Sequence, residues 1–335
     1  MDLRLSPRHL LISFITVSGL AGCAAPRGFL EPVGAVAPPG TSQVEMLVAT
    51  TRARTTPAEM FSGDRGPGLD FADIVVSIPP VHRPGEVEYP RQIPGDPATD
   101  FVTLEPTKPI DKTEAAAVFR KLLRREPNRH VLVFVHGYNN RFEAAVFRFA
   151  QFIHDSDARV VPILFTWPSK GKFNAYGYDH ESASYSRDAL EQGLRLLVKD
   201  PEVSEISILA HSMGNWVTLE ALRQMAIRDG KVAGKIRNVV LADADVDKQV
   251  AYKQIGQIEA LGEKRPNFIL VTSEDDKALA ISRKFWGEPR LGSIDPDQER
   301  PNLEREGIVA INATTFRSQD SLGHSKIFDN PQLSR

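Results

Sequence analysis

The chain of 335 residues contains one cysteine, Cys23, so it forms no internal disulfide and offers no cluster of thiolate metal ligands. It has no long apolar run: the stretch from Leu10 to Leu20 is too short to span a bilayer comfortably as a permanent helix. Neither sign of charge dominates. With 41 Lys and Arg against 43 Asp and Glu the formal net charge is -2, and no basic stretch is interleaved with aromatics, so nothing supports a nucleic-acid surface. A glycine-rich phosphate loop, a dinucleotide fingerprint and metal-spaced His or Cys pairs are all missing, so no cofactor and no metal is expected. No internal repeat is visible. What remains, 41% hydrophobic and 25% charged, suits one large globular domain with ample core.

At the amino terminus Arg4 and Arg8 precede the apolar run, which ends in Leu20-Ala21-Gly22-Cys23. Small residues before a cleavage point mark a secretory signal, and the sequence resembles the lipobox of bacterial lipoproteins. That resemblance implies a signal peptide over 1–22, lipidation of Cys23, and anchoring in a bacterial cell envelope. With Ala24 after the cysteine, it implies the periplasmic face of the outer membrane in a Gram-negative cell. Several acyl chains make such anchoring stable. Residues 23–43, rich in Pro, Gly and Ala, read as a flexible tether on which little should pack. The folded domain is expected over 44–330.

Val44 to Thr50 and Phe71 to Ile78 read as opening strands, and the proline-rich stretch from His82 to Pro109 as a loop with a short strand near Phe101 to Leu104. Helical spacing appears from Ala115 to Arg125. Apolar strand runs and helices then alternate: strands at 131–135, 160–165, 206–210, 239–242, 268–272 and 308–313, and helices at 142–154, 184–198, 215–228, 248–258 and 277–285. Such alternation predicts an α/β fold, a mostly parallel central sheet with helices on both faces. Parallel order brings the strand carboxyl ends to one rim, where His136, Thr166-Trp167-Pro168, Ser212, Asp243 to Asp247 and Asp275-Asp276 gather.

The chemistry is predicted at Ala210-His211-Ser212-Met213-Gly214, a sharp strand-to-helix corner one substitution away from the G-x-S-x-G nucleophile elbow. Ser212 is the candidate nucleophile, and the Met213 N–H at the start of the next helix is placed to hold an oxyanion. A serine there also suits plain helix capping. Only one histidine, His324, follows Ser212, in a loop after the last strand, and is the candidate base. The acid is sought after the 268–272 strand, in Ser273-Glu274-Asp275-Asp276: Asp276 is favoured, Asp275 is its close rival, and Asp245 and Asp247 end the preceding strand. His136 and His211 are expected to be structural or to support the catalytic groups from behind. The pair His136-Gly137 opens a loop in which the Tyr138 N–H would be the second oxyanion donor. Tyr138, Trp167, Tyr176 and Tyr178 suit either a pocket lining or ordinary packing.

Together with Thr50-Thr51-Arg52, Phe61-Ser62-Gly63, Ala244-Asp245-Val246-Asp247 and Gly323-His324-Ser325, these motifs resemble a bacterial family of the α/β-hydrolase superfamily long catalogued as a domain of unknown function. Ala244 stands where that resemblance leads one to expect proline. The resemblance implies a serine hydrolase or esterase with an acyl-enzyme on Ser212, acting on a small-molecule or lipid ester. An amidase, a thioesterase, an acyltransferase and a non-enzymatic envelope lipoprotein on the same scaffold are the alternatives.

Overall fold

The structure, a computed structural model, describes residues 28–260 and 265–334. The signal segment and Cys23 lie outside the described residues. Among those described, nine strands form one sheet in the order β3-β2-β1-β5-β4-β6-β7-β8-β9. From β1 (Ser42–Arg54) across β5 (Val161–Thr166), β4 (His130–Val135), β6 (Glu205–His211), β7 (Ile236–Ala242) and β8 (Asn267–Thr272) to β9 (Ile308–Asn312) every pairing is parallel. Only β2 (Phe61–Ile78) and the two-residue β3 (Pro109–Ile110) run antiparallel, at one edge.

The apolar runs are continuous because both faces of the sheet are covered. Along β4, Val131, Val133 and Val135 pack on one side, against α1 (Lys112–Arg125), α3 (Tyr176–Lys199) and α4 (Gly214–Asp229). Leu132 and Phe134 point the other way, into a layer built mainly by α2 (Phe142–Ser156). α5 (Lys248–Ala260) joins the first layer, α6 (Lys277–Trp286) and α7 (Arg300–Arg305) sit between the last strands, and α8 (Lys326–Asp329) closes the second layer. Each fully buried Leu or Phe side chain contributes about 1.5–3 kcal/mol.

Several boundaries differ from the sequence reading. α1 begins at Lys112 because Asp111 accepts from the Thr113 and Glu114 N–H groups while the Glu114 side chain returns the bond, a complete capping box. α3 starts at Tyr176 rather than Ser184; its polar first turns carry no apolar stripe because they bury Asp179 and Ser182 instead. The tether expectation fails at Phe29 and Leu30. Both are buried, Phe29 stacks 6.2 Å from Phe147, and Leu30 O accepts from Thr103 Oγ1 at 3.0 Å, so two apolar side chains hidden in a Pro- and Gly-rich stretch join the core. The 82–109 segment is a loop as expected, with Val102 bridged to Ser77.

β1 and β2 are longer than the sequence suggested. Beyond Thr50 the hairpin carries on past the sheet rim, pairing Arg52 with Arg65 and Arg54 with Phe61. This overhang brings Arg52 over the carboxyl ends of β4 and β5.

Candidate active site

β6 ends at His211, and α4 begins at Gly214. Between them Ser212 has φ +52, the left-handed region that costs an L-residue roughly 1–2 kcal/mol. The corner is held by its neighbours. Ser212 N donates to Ala242 O at 3.0 Å, and Ser212 O accepts from Asn215 N, Asn215 Nδ2 and Asp245 N. Two glycines permit the crowding. A Cβ on Gly137 would lie 2.6 Å from Ser212 Cβ, and one on Gly214 would collide with Val135 O and His136 O. Ala210, at the elbow's other small position, is fully buried.

His324 is fixed from three sides. Its Nδ1 lies 2.6 Å from Asp276 Oδ2, its N–H donates to Asp320 Oδ2 at 2.6 Å, and its carbonyl accepts from His211 Nε2 at 2.7 Å. Since His211 immediately precedes Ser212, the imidazole's loop is tied to the corner itself. Asp276, almost wholly buried, also caps α6 by accepting from Leu279 N with its other oxygen; capping and histidine orientation are both present in one side chain.

The rival acids point elsewhere. Asp275 Oδ1 takes the Lys326 ammonium at 2.6 Å and Ser273 Oγ at 2.7 Å. Asp245 is neutralised by Arg290 Nε at 2.8 Å and accepts from Tyr176 Oη and Ser282 Oγ, both at 2.6 Å. Asp247 caps α5.

Burial works against the charged form of His324, but the Asp276 carboxylate, with Asp243 and Asp245 beyond it, outweighs burial and pushes the imidazole up to about 9. His211 goes the other way: burial, with the charge of His324, takes it down to about 3, so it is a neutral donor. His136 is held well below its ordinary value by burial and by Arg52. With Nδ1 bonded to Gly137 O at 2.8 Å and Nε2 accepting from Trp167 N at 3.1 Å, it is structural.

Among the described residues the backbone N–H groups of Met213 and Tyr138 donate to no protein acceptor. The loop carrying Tyr138 is clamped on both flanks. Asp179 accepts from Asn139 N at 3.2 Å and Ser169 Oγ at 2.5 Å, and Asn139 is left-handed at φ +59. Arg52, buried, donates through Nη2 to Asn140 O at 2.8 Å, through Nη1 to Ser169 O at 3.0 Å, and through Nε to Thr166 Oγ1 at 2.8 Å. Burial lowers this guanidinium to about 10, which still leaves it charged at neutral pH. Arg52→Ala is expected to cost about 3–5 kcal/mol of stability, because it strips the cation from Asp179 and several buried carbonyls, and this is read in a urea titration.

Residues 111–335 match the family described as alpha/beta hydrolases of unknown function (DUF900). The chain belongs to that family. Its strand order, its left-handed serine corner and its late histidine are those of an α/β-hydrolase. An uncharacterized protein of Nostoc sp. (strain PCC 7120), alr1448, is 28% identical over 153 residues, which cover 38% of this chain and 39% of that protein. The chain thus spans about two fifths of the relative it matches.

A cavity of about 400 Å³ adjoins the corner of this α/β-hydrolase, between the Gly137-Tyr138 loop and Ser325, with His211 in its wall. Tyr138 and Tyr176, ring centroids 5.0 Å apart, stand beside the corner, and Trp286 Nε1 donates to Tyr176 Oη at 3.1 Å. Two of the aromatics singled out in the sequence serve packing. Trp167 is fully buried and stacked on His136, and Tyr178 lies under the cations of Arg65 and Lys170.

Sequence reading missed Arg52 as a clamp and Asp179, and placed Asp243 on the rim without giving it a part. Asp243 is wholly buried, left-handed at φ +45, 3.7 Å from His211 Nε2, and without a hydrogen-bond partner on either oxygen among the described residues. Burial pushes it up to about 8.

His82, His154 and Asp155 are the described residues spaced for a cation. They lie away from Ser212, and both His82 nitrogens are taken, by Glu88 and by Asp155, each at 2.8 Å. That arrangement ties the loop after β2 to the end of α2.

Proposed function

We propose that this α/β-hydrolase is a serine esterase that works through an acyl-enzyme on Ser212. The observation that carries the reading is the 2.6 Å contact between His324 Nδ1 and Asp276, on a loop bonded to the residue before the left-handed serine. His324 Nε2 takes the Ser212 hydroxyl proton while its Nδ1–H stays on Asp276, and Oγ attacks the ester carbonyl. The Met213 and Tyr138 N–H groups receive the negative charge that develops on the carbonyl oxygen, and the amino end of α4 adds positive potential. The imidazolium then gives its proton to the departing alcohol. Water, activated by the same histidine, releases the acid. No step calls for a cofactor.

Ester, amide and thioester substrates all fit this machinery, and a carboxylic ester is the simplest choice. A fluorophosphonate probe tests the nucleophile, and p-nitrophenyl esters of rising chain length test the substrate class. Labelling together with ester turnover supports the proposal. Failure of the wild type to label would favour a binding scaffold, and labelling without ester turnover would favour an amidase, thioesterase or acyltransferase.

The signal-like amino terminus supports a second part of the proposal, a lipid anchor at Cys23 that holds the domain on an envelope membrane. Cys23→Ser is expected to move the protein from the membrane fraction to the soluble fraction on ultracentrifugation; an unchanged distribution would refute the anchor.

A further inference from the structure

Large apolar side chains left in water need a reason, and three stand near one another beside the rim that carries Ser212. Phe173 is 62% exposed, Phe285 72% and Trp286 43%. α6 fully buries only Leu279 and Ser282, and Ile281 and Phe285, four residues apart, share one of its open faces. The end of this helix leans on α3. The Phe285 and Trp286 rings lie 5.8 and 6.0 Å from Tyr176, and Trp286 lies 5.4 Å from His180. Phe173, just before α3, accepts the Tyr138 hydroxyl on its carbonyl. The exposed rings therefore continue outward from Tyr138 and Tyr176, the aromatic border of the cleft.

Cations frame these rings. Lys172, Arg283 and Lys284 are exposed and make no ion pair among the described residues. The acids around them are mostly committed: Asp64 to Lys170, Glu181 to Arg65 and Asp245 to Arg290, while Glu288 is open to solvent and Glu274 lies at the far end of α6. Aromatic rings bordered by Lys and Arg are the side chains that settle where lipid headgroups meet acyl chains. The amino terminus sets the direction of approach. Phe29 is buried against Tyr89 and Phe147, and Tyr89 lines the same cavity as Tyr138. Cys23 is six positions earlier, so a lipid on it can be attached no more than about 20 Å from Phe29. An anchor that short draws the edge of the cleft toward the bilayer and leaves the domain little freedom to turn away.

We propose that the rim bearing Phe173, Phe285 and Trp286 docks on a lipid bilayer, so that the cleft at Ser212 faces the membrane. The three rings enter the boundary between headgroups and acyl chains, and Lys172, Arg283 and Lys284 meet headgroup phosphates. Docking in this pose rests on the lipid anchor and the ester chemistry proposed above, and it narrows the substrate to an ester resident in the bilayer.

Quenching of tryptophan by bromine in the bilayer reads the pose directly. Of the three tryptophans, Trp167 is fully buried and Trp216 lies half-buried beside His180, so Trp286 is the one that can reach acyl chains. The full-length wild type, in vesicles of phosphatidylethanolamine and phosphatidylglycerol with brominated acyl chains, is expected to be quenched at least about twofold more than Trp286→Phe. The double variant Phe173→Ser, Phe285→Ser removes two exposed rings and should melt with wild type and keep p-nitrophenyl acetate turnover within about twofold. It should lose about tenfold or more in turnover of a long-chain ester carried in the same vesicles. Docking is overturned if wild type and Trp286→Phe are quenched equally, or if the double variant cleaves the vesicle ester as fast as wild type. The readings beneath it fail differently. Quenching of Trp286 without turnover of any ester refutes the hydrolase and supports docking. A wild type found in the soluble fraction refutes the anchor, and docking is then decided by the same quenching on protein added to the vesicles from solution.

Discussion

Ser212→Ala is expected to lower kcat/KM for a p-nitrophenyl ester on the order of 10⁴-fold or more and to abolish fluorophosphonate labelling, while the fold stays intact. The size of the loss follows from the removal of the attacking atom; the N–H donors of Met213 and Tyr138 remain and account for what activity survives. Stability should hardly change, since the Ser212 hydroxyl forms no hydrogen bond within the protein among the described residues. Ser212→Gly sharpens the comparison. Glycine occupies φ +52 without penalty, so this variant should be as inactive as the alanine form yet more stable by roughly 1 kcal/mol in chemical denaturation. Retained turnover in both would remove Ser212 from the chemistry.

Asp276→Asn is the second large effect, on the order of 10⁴-fold in kcat. The amide can keep its oxygen on Leu279 N, which preserves the start of α6, but its NH₂ then faces His324 Nδ1 and favours the tautomer with the proton on Nε2, the atom that must accept from Ser212. The pH profile separates this from simple damage. His324 must be neutral to act as base, and its pKa of about 9 sets the acid limb, so wild-type kcat/KM should rise about tenfold per pH unit between 7 and 9. Removing the carboxylate should move that limb down toward the ordinary imidazole value. The same group links stability to pH: its raised pKa stabilises the fold fully below about 6.5, and this contribution is lost as pH rises through 9. Asp275→Asn is the control. It weakens the hold on buried Lys326, costs stability, and should leave turnover within about tenfold, since Asp275 does not touch the imidazole. A larger loss at Asp275 than at Asp276 would reverse the assignment.

The parts of this arrangement that announce themselves in sequence are those whose physics is local. Val131–Val135 of β4 and Ile208–Ala210 of β6 are apolar at every position because both faces of the sheet are buried, and the corner at Ser212 needs small residues that are visible in the sequence. Asp276 was favoured by chain reach, and its side chain is the one bonded to His324. What stayed illegible depends on contacts between residues far apart. Arg52 lies 88 positions from the Asn140 carbonyl it holds, and it reaches that carbonyl only because β1 continues past the rim. The first turns of α3 are polar because Asp179 and Ser182 are spent on tertiary bonds, which erases the apolar stripe by which helices are recognised. Phe29 and Leu30 are two apolar residues in a stretch whose composition resembles a linker; packing of Phe29 on Phe147 and Tyr89 and the Thr103 bond to the Leu30 carbonyl decide their place.

The overhanging hairpin bears on where this domain can be cut. The family match opens at residue 111, yet β1 lies inside the sheet between β2 and β5, and its arginine braces the loop that presents Tyr138. A chain trimmed to the matched region would leave the β5 flank as a raw edge with unpaired N–H and C=O groups, open to pairing with other molecules. The smallest autonomous unit therefore reaches back across the hairpin, and fragments designed from the family boundary alone should aggregate rather than report on catalysis.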